Sequence, residues 1–142
     1  ARDKFGNISM EKSNVVKPLV KNIKNGVACG LLIDTNINNN EGVMIDFMGH
    51  PLRQTSTPAF LARKFDAAII PVTIRTDDEL NYTLMLFDEI KVEKTKDADA
   101  DILKATQLQA DWLGSLIKGE PKFWFWLHRR FKNDHPKIYS DQ

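Results

Sequence analysis

An apolar run, Val27-Ala-Cys-Gly-Leu-Leu-Ile33, stops abruptly at Asp34, and this feature most narrows what the chain can become. A polar loop follows, Thr35-Asn-Ile-Asn-Asn-Asn-Glu-Gly42, and then a second apolar run, Val43-Met-Ile-Asp-Phe47, ending at Met48-Gly49. An apolar run without polar alternation reads as a strand covered on both faces, the pattern of a central sheet in an α/β domain. In such sheets ligands sit beyond the strand C-termini. Asp34 and the Phe47–Gly49 loop are therefore the first candidate site residues. Asp34 suits positioning of a substrate or a neighbouring arginine, and equally capping of the next loop. Phe47 and Gly49 suit the wall of a ligand channel, and equally a tight turn.

The flanking segments fit that class. Val15, Val16, Leu19, Val20 and Ile23 form one helical stripe, with Pro18 in the first turn and Gly26 as the stop. Thr57-Pro58 opens a short helix that closes near Asp66. Ala67–Arg75 reads as a strand whose Pro71 marks an edge, bulge or end. After the turn Thr76-Asp-Asp-Glu79, Leu80–Val92 reads as its long antiparallel return. A long helix is predicted from about Asp97 to Lys118, because Leu103, Thr106, Ala110, Leu113 and Ile117 recur at spacings of three and four. The acids at its start, Asp97 to Asp101, read as solvated residues suited to the positive end of the helix dipole. The expected fold is α/β, a mixed sheet flanked by helices in a single domain.

With 142 residues, 42% hydrophobic and 27% charged, the chain has enough apolar material for one real core. The net charge of +1 carries no global nucleic-acid or membrane signal. Charge is unevenly placed, however. From Lys118 to Lys137 six Lys/Arg stand against Glu120 and Asp134, a local +4. The single cysteine, Cys29, cannot form a disulfide within the chain and reads as a buried thiol. No apolar run approaches the roughly 20 residues that span a bilayer. A plain nucleotide-binding α/β domain stays open as a class, but neither Gly-x-Gly-x-x-Gly nor P-loop spacing occurs to support it.

The C-terminal stretch Pro121-Lys-Phe-Trp-Phe-Trp-Leu-His-Arg-Arg-Phe-Lys132 interleaves five aromatics with His128, Arg129 and Arg130. One reading is an anionic or membrane-proximal surface, since aromatics suit interfaces and guanidinium groups grip phosphates bidentately. The other is structural: the aromatics cap the core and the arginines pair with helix carboxylates.

This stretch resembles the Trp-Leu-Trp-Leu-His-Arg-Arg-Trp/Phe-Lys signature of the bacterial lipid A biosynthesis late acyltransferases, the lauroyl/myristoyl transferase family. Other blocks agree in order. Arg2-Asp-Lys-Phe-Gly6 resembles the family's Arg-x-x-x-Gly. Ile23-Lys-Asn-Gly26 and Leu31-Leu-Ile-Asp34 resemble its Leu-Lys-x-Gly and strand-Asp-Gln blocks. Val43–Gly49 resembles Val-x-Val-x-Phe-Phe-Gly, and Thr55–Arg63, Ile69–Arg75 and Thr106-Gln107 also fit. Thr35 replaces the family's Gln, and Met48 its second Phe.

The resemblance implies an acyltransferase-type α/β sandwich. It implies transfer of a fatty acyl chain from acyl carrier protein thioester to a hydroxyl of a lipid A precursor, a step of lipopolysaccharide biosynthesis. The place would be the cytoplasmic face of the inner membrane, and no cofactor or metal is implied. Substrate-binding roles then fall on Arg2, Asp34, Phe47, Gly49, Arg63, Arg75, His128, Arg129 and Arg130. Arg2 suits a phosphate or the developing oxyanion; Arg63 and Arg75 suit sugar phosphates, unless they are ordinary surface arginines. The family's catalytic His-x4-Asp/Glu is missing: five residues after His50, His128 and His135 stand Thr55, Asn133 and Ser140. The expectation is a C-terminal portion whose base, membrane anchor and N-terminal half lie elsewhere, inactive alone, with an exposed apolar face or self-association as the consequence. The alternative is a stand-alone binding module that uses the basic aromatic stretch on anionic lipid or nucleic acid.

Overall fold

A computed structural model of the chain describes residues 5–10 and 15–140. The chain divides into two units, Ala1–Leu31 and Leu32–Gln142. In the first, helix α1 spans Val16–Lys24 with Pro18 in its opening turn, as predicted. It ends in a Schellman motif: the Val27 N–H bonds the Asn22 carbonyl at 2.9 Å and Gly26 N–H bonds Ile23 at 3.0 Å.

In the second unit, strands β1 (Val43–Phe47) and β2 (His50–Gln54) form an antiparallel hairpin. Met48 and Gly49 join them with φ of 58° and 89°, the paired positive values of a two-residue hairpin turn. Helix α2 (Thr57–Phe65) starts one residue earlier than the Thr57 cap predicted, with Ser56 as N-cap and Pro58 in the first turn. Strands β3 (Val72–Arg75) and β4 (Thr83–Leu86) make a second antiparallel pair. Helix α3 spans Ala98–Gly119, and the Asp97 carboxylate caps it by accepting from the Ala100 N–H at 3.0 Å. The fold is α/β as expected, with three helices and four strands among the described residues.

The core is the inner face of the first hairpin laid on α3: Ile45, Phe47 and Leu52 against Ala110, Leu113 and Ile117. Ile33, Val43, Trp112, Trp124 and Phe131 pack around it. Of the stripe predicted for α3, Thr106, Ala110, Leu113 and Ile117 are buried, whereas Leu103 faces solvent.

Two expectations are corrected. Val27–Ile33 forms no strand, and Cys29 within it is only half-buried. A strand needs a ladder partner, and on the free edge of β1 the groups of Asp46 are already taken. By the register of a hairpin closed after two residues, Asp46 and Pro51 face each other without ladder bonds, so the Asp46 backbone points outward. There the Gln107 side chain takes both groups, accepting from the Asp46 N–H at 2.9 Å and donating to its carbonyl at 2.8 Å. The opposite edge is closed the same way. Asp134 accepts from the Arg53 N–H at 3.0 Å, and His135 Nε2 lies 2.6 Å from the Pro51 carbonyl. Side chains therefore take part of each edge of the hairpin, at Asp46 on β1 and at Pro51 and Arg53 on β2.

The second correction concerns the later strands, whose regular parts are shorter than Ala67–Arg75 and Leu80–Val92. Pairing persists beyond them, since Phe87 N–H bonds Pro71 and Ile90 N–H bonds Ile69, both at 3.0 Å. The β3–β4 ribbon is apolar on its outer face. Cross-strand partners Val72 with Leu86, and Ile74 with Leu84, are all exposed. Phe87 turns inward onto Trp112, with ring centroids 5.3 Å apart. The uncovered apolar face thus lies on β3–β4, whereas Ile45 and Phe47 of the Val43–Phe47 strand are covered by α3.

Candidate functional site

Segment 128–133 is a splint for the loop that follows Ile33. Asn36 donates its backbone N–H to His128 Nε2 at 2.9 Å. A ring nitrogen that accepts carries no proton, so this bond is made by His128 with Nε2 bare. Arg130 Nη1 donates to the Ile33 carbonyl at 2.8 Å. The Asn133 N–H reaches Asn36 Oδ1 at 3.2 Å, and its side-chain amide donates to the Ile37 carbonyl. Each group lies nearly a hundred residues from its partner, so the loop's shape is imposed by tertiary contacts rather than by its own sequence.

Arg130 is the hub. It is 3% exposed. Its Nη2 donates to Gln54 Oε1 at 2.8 Å, and Gln54 Nε2 in turn donates to the Thr106 carbonyl at 3.3 Å. The guanidinium lies over the Phe47 ring, 4.5 Å from the centroid. Burial lowers the Arg130 pKa to about 10, and the nearby Asp34 carboxylate works against that shift. A buried cation is tolerated only when its protons find acceptors. Ile33, Gln54, Asp34 and the Phe47 face supply most of that compensation, while Nε has no hydrogen-bond partner among the described residues.

Phe47 therefore contacts Arg130, whereas Asp34 acts on it through charge alone. Phe47 is buried, with Trp124 at 6.4 Å and Phe131 at 6.1 Å between ring centroids. Gly49 has open space around the position a Cβ would take, so the positive φ of the turn is what calls for glycine there. Its N–H bonds Asp46 Oδ1 at 2.9 Å. The base of the loop is tight at Gly42, where a Cβ would stand 2.1 Å from the Gln54 carbonyl oxygen. Arg2 lies outside the described residues.

The other arginines are engaged elsewhere. Arg63 Nε donates to Asp101 Oδ2 at 2.8 Å, and its Nη2 donates to the Thr95 carbonyl at 2.8 Å. Asp101 also accepts from the Thr95 N–H and hydroxyl, both at 2.8 Å. Among the acids read as solvated, Asp101 is buried, because these three donors replace water. Arg75 pairs with Glu120 at 2.9 Å and stacks over Phe123. Arg129 is exposed, 5.5 Å from the Tyr139 ring centroid.

The basic aromatic stretch thus splits. Trp124, His128, Arg130 and Phe131 face inward, and Phe125, Trp126, Leu127 and Arg129 face outward. Gln54, Asn36, Asn133 and Gln107 were not singled out from sequence for this framework. Their types give no signal alone; only their partners identify them. No helix among the described residues is long and apolar enough to cross a membrane. The sequence profile of the bacterial lipid A biosynthesis acyltransferases matches residues 1–133. No individual curated protein matches the chain.

Proposed function

The chain belongs to the bacterial lipid A biosynthesis acyltransferase family, and on that premise we propose that it is the substrate-holding portion of such an enzyme. The reaction is transfer of a fatty acyl chain from acyl carrier protein thioester to a hydroxyl of a lipid A precursor. The hydroxyl oxygen attacks the thioester carbonyl, a base takes its proton, and the carrier thiol leaves. Asp34 and Gly49 face the acceptor end, with the buried Phe47 and the inward His128 and Arg130 behind them and Arg129 outside; Arg2 is carried over from the family resemblance as a phosphate or oxyanion contact. Arg63 and Arg75 act on substrate only if released from Asp101 and Glu120.

The observation that supports this reading best is the splint: four hydrogen bonds from His128, Arg130 and Asn133 fix the loop beside Asp34, and a fifth seats Arg130 on Gln54. Ordering a polar loop costs conformational entropy, and a site is where that cost is repaid. The base comes from outside this chain, since no histidine has a carboxylate five residues on and His128 Nε2 is occupied by Asn36. The remaining partners in this reading are the N-terminal half of the enzyme, which covers the β3–β4 apolar face, and the inner membrane surface. Without that half, a second copy of the chain covers the same face.

The test is to titrate the purified chain with the acylated glucosamine disaccharide and, separately, to assay it with acyl carrier protein thioester. Saturable disaccharide binding weakened by Asp34→Ala, without thioester turnover, is expected. Turnover lost in His128→Ala would contradict the reading and make His128 the base. Absence of disaccharide binding by folded chain would contradict the substrate-holding role.

A further inference from the structure

We propose that the Phe125–Leu127 turn and the cations around it form a docking surface for an anionic lipid bilayer. Phe125, Trp126 and Leu127 are 66%, 64% and 83% exposed, three consecutive large apolar side chains in water. Isolated exposed apolar residues are ordinary, but a contiguous group rimmed by charge marks an interaction site.

The turn is shaped before it meets a partner. Trp126 Nε1 donates to the Pro121 carbonyl at 2.8 Å, and the Trp126 ring lies 6.5 Å from that of Trp124, which packs on the core. The Trp126 N–H bonds the Trp124 carbonyl at 3.0 Å, and His128 N–H bonds Phe125 at 3.1 Å. Little ordering cost remains to be met on docking.

Charge selects the partner. Lys118, Lys122, Arg129, Lys132 and Lys137 are exposed on both sides of the turn in sequence. The two acids of the same stretch are already committed: Glu120 pairs with Arg75, and Asp134 accepts the Arg53 N–H. Only Glu120 is offset by a cation, since Asp134 bonds an uncharged N–H and Lys122 lies 4.0 Å from Asp77, so the stretch presents an excess of positive charge rather than an unopposed one. Cations beside an apolar tip match anionic headgroups above acyl chains. A nucleic acid would use the charge and stack on aromatic rings, but Leu127, the most exposed of the three, has no face to stack.

The inference deepens the proposed function, on which it rests for the choice of a bacterial phospholipid. Segment 128–133 joins the turn directly to the loop beside Asp34, so docking would hold that loop at the lipid surface.

The test is co-sedimentation of the full chain with vesicles of phosphatidylcholine alone and of equal parts phosphatidylcholine and phosphatidylglycerol. Binding to the anionic vesicles only, weakened by added salt, is expected. Phe125→Ser with Leu127→Ser should lower partitioning about tenfold or more while circular dichroism and thermal unfolding stay unchanged. Lys132→Gln should lower it roughly fivefold. Because no acyl transfer is read, a negative outcome here leaves the proposed function standing, and the reverse holds too. Failure of folded chain to bind, equal binding to both vesicle types, an unaffected double variant, or binding to RNA with vesicles left free would each overturn the proposal.

Discussion

Asn36 gives its backbone N–H to His128 Nε2 at 2.9 Å, although 92 residues separate them. The bond lies between the loop beside Asp34 and the segment for which the sequence leaves two readings open, an anionic or membrane-proximal surface and a structural cap on the core. In the folded chain half of that segment grips its own backbone. The cationic character of His-Arg-Arg is split between an inward structural role and an outward one.

Arg130 carries most of the inward role. Arg130→Met should destabilise the chain by about 3 kcal/mol, because the Ile33 carbonyl and Gln54 Oε1 lose their donors while staying buried. Arg129→Met, at an exposed position, should stay within about 1 kcal/mol of the parent. Urea unfolding of the two variants separates them. Equal losses would contradict the division of the motif.

The Asp101 cluster makes a pH prediction. Burial would raise this carboxyl, but hydrogen bonds from Arg63 and Thr95 outweigh it and hold the group below its ordinary 3.8. With the folded value below the unfolded one, its stabilisation is complete above about pH 4 and is lost as pH falls through the folded value. Asp101→Asn should therefore unfold at lower temperature than the parent at neutral pH, with the gap closing in acid. Thermal unfolding across a pH series measures this. A gap that stays constant down to about pH 2 would contradict the assignment.

Two glycines near the site should respond differently to alanine. Gly42 combines a φ of 68° with the Gln54 carbonyl 2.1 Å from where a Cβ would stand. Gly42→Ala should cost more than about 3 kcal/mol, since backbone must move. Gly49→Ala meets open space and only the penalty of positive φ, about 1 to 2 kcal/mol. Denaturant midpoints of the two variants rank them, and the reverse order would refute the packing at the hairpin base.

Elements set by local pattern were legible in the sequence. Spacings of three and four gave α3 nearly to its ends, Gly26 marked the close of α1, and Val43–Phe47 came out as a strand. What depended on partners was not. The Val27–Ile33 run has the composition of a buried strand, yet Gln107 occupies the β1 edge at Asp46, where a neighbour would pair. Strand β2 was missed because His50-Pro-Leu-Arg-Gln54 has one aliphatic residue and a proline; it pairs because Pro51 falls where no ladder N–H is needed. Arg130 reads from sequence as a phosphate-gripping cation or the partner of a helix carboxylate, but its acceptors are the Ile33 carbonyl and Gln54 Oε1, far away in sequence.

Hydrogen exchange at the Asn36 amide tests the central claim, that the 128–133 segment splints the loop beside Asp34. The parent chain should show this amide protected, and His128→Ala should accelerate its exchange by about tenfold or more, the worth of one lost hydrogen bond, while core amides of α3 keep their protection. An Asn36 amide that already exchanges freely in the parent, or that is unmoved by His128→Ala, would contradict it.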